Sequence, residues 1–318
     1  MPEATKKKKI RAMRNRTIEL YQDDVERLRE CLVLGDELAD CVVVQNKIIR
    51  GDTFSTLGEF PQASFDLLIA DPPYNLTKTF GQETFRSRKS DLYKEWLDSW
   101  LSLCVPLLKP TASVYICGDW RSGLAIQGVG SKYFRLQNRI VWEREKGRGA
   151  KANWKNAAED IWFFTVSDNF TFNLEAVKLR RKVIAPYTEN GAPKDWQPSA
   201  DGGFRDTHPS NIWTDVSVPF WSMPENTDHP TQKPEKLIAK IILASSNPGD
   251  LILDPFAGSG TTAVVAKKLG RKFVAIESDE HYCLLAQKRL EMAESDKSIQ
   301  GFADGVFWER NSRKTRAA

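Results

Sequence analysis

No apolar run in this 318-residue chain approaches the roughly 20 residues that cross a bilayer, so no membrane-spanning helix is expected. The lysine-rich N-terminus has no apolar stretch behind it and does not read as a secretory signal, so the expected location is the cytoplasm. Cysteines are few and scattered. Cys31, Cys41, Cys104, Cys117 and Cys283 form no CxxC pair and stand near no histidine at metal-ligand spacing. Only three histidines occur, His208, His229 and His281. Neither a metal centre nor a disulfide framework is therefore expected. Cys104 and Cys117 lie in apolar runs and read as small core residues. No internal repeat is visible.

Net charge is only +4, but the basic residues are unevenly placed. KKKKIRAMRNR (6–16), KGRGAK (146–151) and KLRRK (178–182) form clusters suited to a polyanion such as nucleic acid. Residues 1–16 read as a basic, disordered arm, and 17–40 as one or two helices with Thr17 as cap. Strands are predicted in 46–54 and over 65–70, 112–117, 135–143 and 160–166. A helix over 91–108 carries Leu92, Trp96, Trp100, Cys104 and Leu107 at helical spacing. The middle, 168–228, mixes proline, glycine, asparagine and aromatic rings without periodicity and reads as an irregular insertion. Alternation then returns. A helix over 234–246 with Leu237, Ile238, Ile241 and Ile242 on one side leads to a strand at 251–254. A helix over 261–269 is closed by Gly270, and a strand at 273–278 precedes a helix capped by Asp279. Strands alternating with helices predict an α/β fold with a doubly wound, mostly parallel sheet.

The stretch LILDPFAGSGTT (251–262) is a strand, a glycine turn and a helix start. Gly258 and Gly260 let backbone approach a ligand with no Cβ in the way. Ala263 stands where a dinucleotide fingerprint has its third glycine, and no Gly-Lys-Ser/Thr follows, so neither a pyrophosphate cofactor nor a P-loop is indicated. Glu277 ends the next strand 277 − 258 = 19 residues after Gly258, near the ~20-residue interval at which an acid meets a ribose diol. A nucleoside cofactor without phosphate, S-adenosylmethionine, fits this set. Its amino-acid end needs a donor for the carboxylate and an acceptor for the ammonium. Thr231 and Lys233 in DHPTQKPEKL offer the first, and Asp254 offers the second.

The other strand-end turn is ADPPYNL (70–76), directly after FDLLIA. An exocyclic base amine is a poor nucleophile because its lone pair is delocalised into the ring. A carboxylate and a carbonyl that accept its two hydrogens draw the nitrogen towards tetrahedral geometry. Asp71 offers the carboxylate. Pro72 and Pro73 fix φ and donate nothing, so their carbonyls can be aimed rigidly. Tyr74 offers a ring face for stacking. All four lie at a strand's carboxyl end, where open α/β sheets bind ligands.

DPPY (71–74) followed by DPFAGSG (254–260) resembles the amino-group DNA methyltransferases, which modify adenine N6 or cytosine N4. The order, with the catalytic motif first and the cofactor motif last, resembles their β group. HPTQKP before DPFAGSG and GD in IRGDTF match that pattern too, and 138–164 resembles its motif VIII region. The likeness runs over about 46–293 and is strongest to small restriction–modification adenine methyltransferases. It implies a Rossmann-like methyltransferase domain over 17–293, with a catalytic half (46–167), a target-recognition region (168–228), a cofactor half (229–293) and a C-terminal tail (294–318). It implies that Asp71, Pro72, Pro73 and Tyr74 hold a flipped adenine. Asp52, Phe256, Gly258, Ser259 and Gly260 would line the S-adenosylmethionine site with Asp71, Thr231, Lys233, Asp254 and Glu277, Asp52 lying near the cofactor's adenine ring. His229 receives no catalytic proton. DNA is the expected partner, with a cognate restriction endonuclease and a second copy of the chain as further candidates. Lys78, Arg86, Arg88 and Lys89 in the loop 77–90, with Lys146 and Arg148, are candidate DNA contacts.

A flipped base loses stacking that costs a few kcal/mol, and a Tyr74 platform returns about 1–3 kcal/mol of it. Methylation of a ring carbon needs a cysteine nucleophile, usually after proline, and no Pro-Cys pair occurs. With a reference pKa of about 3.9, Asp71 positions and polarises rather than abstracts a proton. Two other readings fit the same residues: a cytosine-N4 methyltransferase, and a nucleic-acid-binding module with a vestigial cofactor fold.

Overall fold

The computed structural model describes residues 13–40, 44–81, 83–144, 152–183, 187–198 and 203–310. Most of the N-terminal arm and the 146–151 cluster with Lys146 and Arg148 lie outside these residues. A nine-stranded sheet forms the centre. In chain order its strands are β1 (Val33–Leu34), β2 (Lys47–Arg50), β3 (Phe65–Ala70), β4 (Leu108–Gly118), β5 (Arg135–Glu143), β6 (Ala158–Thr165), β7 (Ile212–Trp213), β8 (Leu251–Asp254) and β9 (Lys272–Glu277). Their order across the sheet is β1-β2-β9-β8-β3-β4-β6-β5-β7. Only β6 runs against the rest, pairing antiparallel with both β4 and β5. The mostly parallel, doubly wound α/β sheet is as expected.

Among the described residues seven α-helices accompany the sheet: α1 (Gln22–Arg29), α2 (Thr53–Thr56), α3 (Ser90–Cys104), α4 (Gly123–Tyr133), α5 (Glu235–Ser245), α6 (Thr261–Lys268) and α7 (Glu280–Ser295). The continuous apolar run of β3 is explained by cover on both faces. Leu67 and Ile69 pack into one core with Leu237, Ile241, Val264 and Leu290 of α5, α6 and α7. Leu68 and Ala70 point the other way, into a core with Leu97, Trp100, Ile126 and Val129 of α3 and α4. Each leucine or isoleucine among them contributes about 1.5–3 kcal/mol when fully buried, so both faces hold the strand in place.

The chain winds outward in two directions from β3 and β8. From β3 it crosses to β4 on one side; from β8 it crosses to β9 on the other. β3 and β8 are themselves parallel neighbours, Leu67 pairing with Ile252 and Leu68 with Leu253. Their carboxyl ends form the switch point where such sheets open a crevice.

Four expectations change. Thr17 caps no helix: its hydroxyl accepts from Asn226 Nδ2 at 2.8 Å, and α1 begins only at Gln22 after Tyr21, whose N–H donates to Asp24. The insertion 168–228 is less irregular than its composition suggests. Leu179–Lys182 and Phe204–Thr207 pair antiparallel within it. Nor are residues 302–308 a tail, since Val306–Trp308 adds to this small sheet beside Leu179–Lys182 and Phe302–Ala303 beyond it. Finally, α5 is buried nearly all round, not along one side. Its Lys236 and Lys240 both pair with Asp215, at 2.7 and 2.6 Å, tying the segment after β7 to the helix.

Candidate active site

The switch point opens into a cavity of about 390 Å³. The β3 turn, the β8 turn, the end of β9 and the segment before α5 all reach it. Asp52, Asp71, Pro72, Pro73, Tyr74, Thr231, Lys233, Asp254, Phe256, Gly258, Ser259 and Glu277 all line it.

On the β8 side the polar groups are held by backbone. Asp254 Oδ1 accepts from Phe256 N at 3.0 Å, and burial pushes its pKa from 3.8 up to about 7 against that bond and one from Thr262. Glu277 accepts from Gly258 N at 2.8 Å and from Asp279 N at 2.9 Å, and burial raises its pKa as well. Asp52 caps α2, accepting from Phe54 N and Ser55 N, which fixes a further carboxylate at the rim. Phe256 is wedged edge-on against Trp100, with ring centroids 5.0 Å apart.

The two glycines serve different neighbours. Gly258 sits at φ +50°, and a Cβ there would lie 2.9 Å from His229 Nε2. Gly260, at φ +76°, does not line the cavity, and its missing Cβ leaves room for α7, where Ala286 Cβ would be only 2.5 Å away. The missing Cβ of Gly260 thus serves the approach of a helix. His229 is packed edge-on to Tyr282 and over Phe80, and burial, reinforced by the Lys233 and Lys78 cations, lowers its pKa to about 4. It is therefore neutral near pH 7.

The β3 side is dense with charge. Asp71 Oδ2 accepts from Lys233 Nζ at 2.5 Å, and Asp71 Oδ1 from the Tyr74 hydroxyl at 3.1 Å. Glu159, from the antiparallel β6, places Oε2 3.1 Å from the same hydroxyl and 3.5 Å from Lys233 Nζ, while its Oε1 pairs with Arg144. Burial by itself lowers the Lys233 pKa, but the Asp71 and Glu159 carboxylates reverse this and hold it above the usual lysine value. Lys233 thus meets the acids of the base-side turn; a place at the methionine carboxylate is not where its ammonium lies. The Tyr74 hydroxyl is kept protonated by burial and by the same two carboxylates. Its ring carries the Lys233 ammonium 5.3 Å from the centroid. Tyr93 of α3 donates to the Pro73 carbonyl at 3.0 Å, which occupies one lone pair of that carbonyl.

Glu159, Arg144 and Tyr93 escaped the sequence reading. One signal existed for the first: an acid pair, Glu159-Asp160, heads the strongly apolar run of β6, where an unpartnered charge would be costly.

The loop after the β3 turn folds into a hairpin, Lys78–Phe80 pairing with Glu83–Phe85, along one wall of the cavity. Lys78 lines the cavity and is half-buried, and burial with the Arg144 and Lys233 cations lowers its pKa. Arg86, Arg88 and Lys89 do not line it. They are exposed on the way into α3, Arg88 lying over Phe85 at 5.2 Å.

Comparison with known proteins agrees with this geometry. The family model described as DNA methylase (N6_N4_Mtase) matches residues 65–288. The chain is 38% identical over 254 residues to the DNA adenine methyltransferase YhdJ of Escherichia coli (strain K12), covering 77% of this chain and 83% of that protein. It is 31% identical over 261 residues to the type II methyltransferase M.BglII of Bacillus subtilis, covering 77% of this chain and 69% of that one. Among solved structures, the M1.HpyAVI–SAM complex superposes with a TM-score of 0.54 at 26% identity, over 76% of this chain and 98% of that one. The PvuII DNA methyltransferase, cytosine-N4-specific, reaches 0.57 at 19% identity, over 78% and 90%, and shares the fold. With the catalytic and glycine turns meeting in one crevice and the family model spanning both, the chain belongs to the N6/N4 DNA methylase family.

Proposed function

We infer that the chain transfers a methyl group from S-adenosylmethionine to the N6 amine of adenine in DNA. One observation carries the reading: the Asp71–Tyr74 turn and the Asp254–Gly258 turn end neighbouring parallel strands and face one cavity. The choice of adenine over cytosine rests on the relative named as a DNA adenine methyltransferase, YhdJ, and on the acid that begins the turn. The type II relatives, M.BglII and M.HpaI of Haemophilus parainfluenzae, favour a setting beside a restriction endonuclease. A cytoplasmic, DNA-associated location is part of the same proposal.

The residues present suit the cofactor. Two carboxyls with raised pKa, Asp254 buried and Glu277 partly buried, face the cavity without a paired cation among the described residues, which suits a ligand that brings an ammonium and a diol. Asp254 would take the ammonium, Glu277 the ribose hydroxyls, Thr231 the carboxylate, and Asp52 and Phe256 the adenine end. When bound, S-adenosylmethionine supplies a methyl group on a sulfonium, which is electrophilic towards an amine lone pair.

The chain's own residues prepare the amine. Asp71 accepts one N6 hydrogen and the Pro72 carbonyl the other, localising the lone pair on nitrogen. Tyr74 stacks the base and is pinned through its hydroxyl. Proton removal needs no strong base, because the N6 proton becomes acidic once the nitrogen carries the methyl group. Arg86, Arg88 and Lys89 meet phosphates, a role that positions DNA without reading sequence.

The deciding experiment incubates the protein with labelled S-adenosylmethionine and DNA, RNA or protein in parallel, then hydrolyses the DNA to nucleosides. Label in N6-methyldeoxyadenosine is expected. Label in N4-methyldeoxycytidine, or in RNA or protein alone, overturns the reading.

A further inference from the structure

Asp71, the acid assigned to the target amine, is already engaged. Its two oxygens accept from Lys233 at 2.5 Å and from Tyr74 at 3.1 Å. Lys233 is only 7% exposed, so its ammonium has no water to turn to when Asp71 swings to a base. It needs a second anion within reach of the same position. Glu159 meets that requirement. It is 5% exposed, held on its far oxygen by Arg144, and its near oxygen lies 3.5 Å from Lys233 Nζ. The Tyr74 hydroxyl, 3.1 Å from Lys233, from Asp71 and from Glu159 alike, bridges the two acids.

We propose that Glu159 is a positioning residue that takes over the Lys233 ammonium and so frees Asp71 to accept the hydrogen of the target amine. No covalent bond changes. One N–H donated by Lys233 moves from Asp71 to Glu159, a displacement of under about 1 Å, since charge-assisted N–H···O bonds settle at about 2.7–2.9 Å. Tyr74 stays bonded throughout because one acid or the other always accepts its hydrogen. A Glu159 that merely neutralised Arg144 would leave Lys233 without part in the matter, and that difference can be measured.

The inference rests on the adenine-N6 reading. The test uses the full chain in single-turnover methyl transfer to unmethylated plasmid DNA. Glu159→Gln is expected to slow transfer roughly tenfold or more while the dissociation constant for S-adenosylmethionine stays within about twofold, the pattern of a group acting in the transition state alone. In that variant Lys233 has only Asp71 as counter-ion and locks it. Removing the lysine as well, in Glu159→Gln/Lys233→Met, is expected to raise the rate severalfold above Glu159→Gln alone. Glu159→Asp, which withdraws the carboxylate by one methylene, should show a milder slowing that Lys233→Met also relieves, and it carries the test if the glutamine variant does not fold. A double variant no faster than its Glu159 parent, or a Glu159→Gln chain at the unaltered rate, overturns the inference alone. No transfer to adenine by the unaltered chain overturns both it and the reading beneath it.

Discussion

Two pairs of acids face the same cavity and are kept in opposite electrical states. Asp254 and Glu277, at the ends of β8 and β9, have backbone N–H partners and no paired cation among the described residues, and burial raises the pKa of both. Asp71 and Glu159, at the end of β3 and in β6, share Lys233 and Arg144. The first pair awaits charge from outside. The second is neutralised within the chain and must be rearranged before it can act. A cationic cofactor is drawn to one side, while a neutral base has to be accommodated on the other.

The largest expected effect is on the rearranged side. Asp71→Ala should cut methyl transfer by on the order of 10²–10³, the size of losing one preorganised partner of the reacting group, with cofactor binding retained. Full transfer by that variant would erase the distinction between the two sides.

Next comes Asp254→Asn, which should weaken cofactor binding by about tenfold or more, since a charged partner becomes a neutral one. It should also raise the melting temperature of the free protein at pH 8. The sign follows from linkage. Folded Asp254 holds its proton up to about pH 7, whereas the unfolded group releases it near 3.8. Stability is therefore lost as pH rises through that window, and asparagine removes the loss. No gain at pH 8, measured against little change at pH 4, would sink the account of Asp254. The same group predicts that cofactor affinity in the unaltered protein climbs as pH rises through about 7 and that Asp254→Asn flattens the climb, by isothermal titration.

A smaller effect separates the two glycines. Gly260→Ala should cost about 1–3 kcal/mol of stability by overpacking against Ala286 and leave cofactor affinity nearly unchanged. Gly258→Ala pushes into His229 at the cavity wall and should weaken cofactor binding. Smallest of all, Arg86→Ala should reduce the salt slope of DNA binding by about one unit with little change in the transfer rate at saturating DNA.

The cofactor and catalytic turns were legible because each is one continuous stretch at a strand end, with residue types that only a few tasks require together. Glu277 was legible from its interval to Gly258. Glu159, Arg144 and Tyr93 were not, because they reach the site from β6, the residue after β5, and α3, which sequence distance keeps apart. That the missing Cβ of Gly260 faces α7 was not legible, since a glycine beside a ligand and one beside a helix look alike along the chain. Residues 302–308 were read as a tail because strands that short carry too little periodicity to stand out.

By itself, then, the order of residues determined the alternation of strands and helices, the two turns and the chemistry they offer, because backbone preference and side-chain type act locally. Tertiary structure alone decided that β3 and β8 lie side by side. It also decided that Lys233 pairs with Asp71 instead of waiting for a carboxylate from outside, and that Glu159 stands within reach of both. Those facts depend on distances between groups tens to more than a hundred residues apart, and electrostatics in a buried site responds to distance and not to sequence separation.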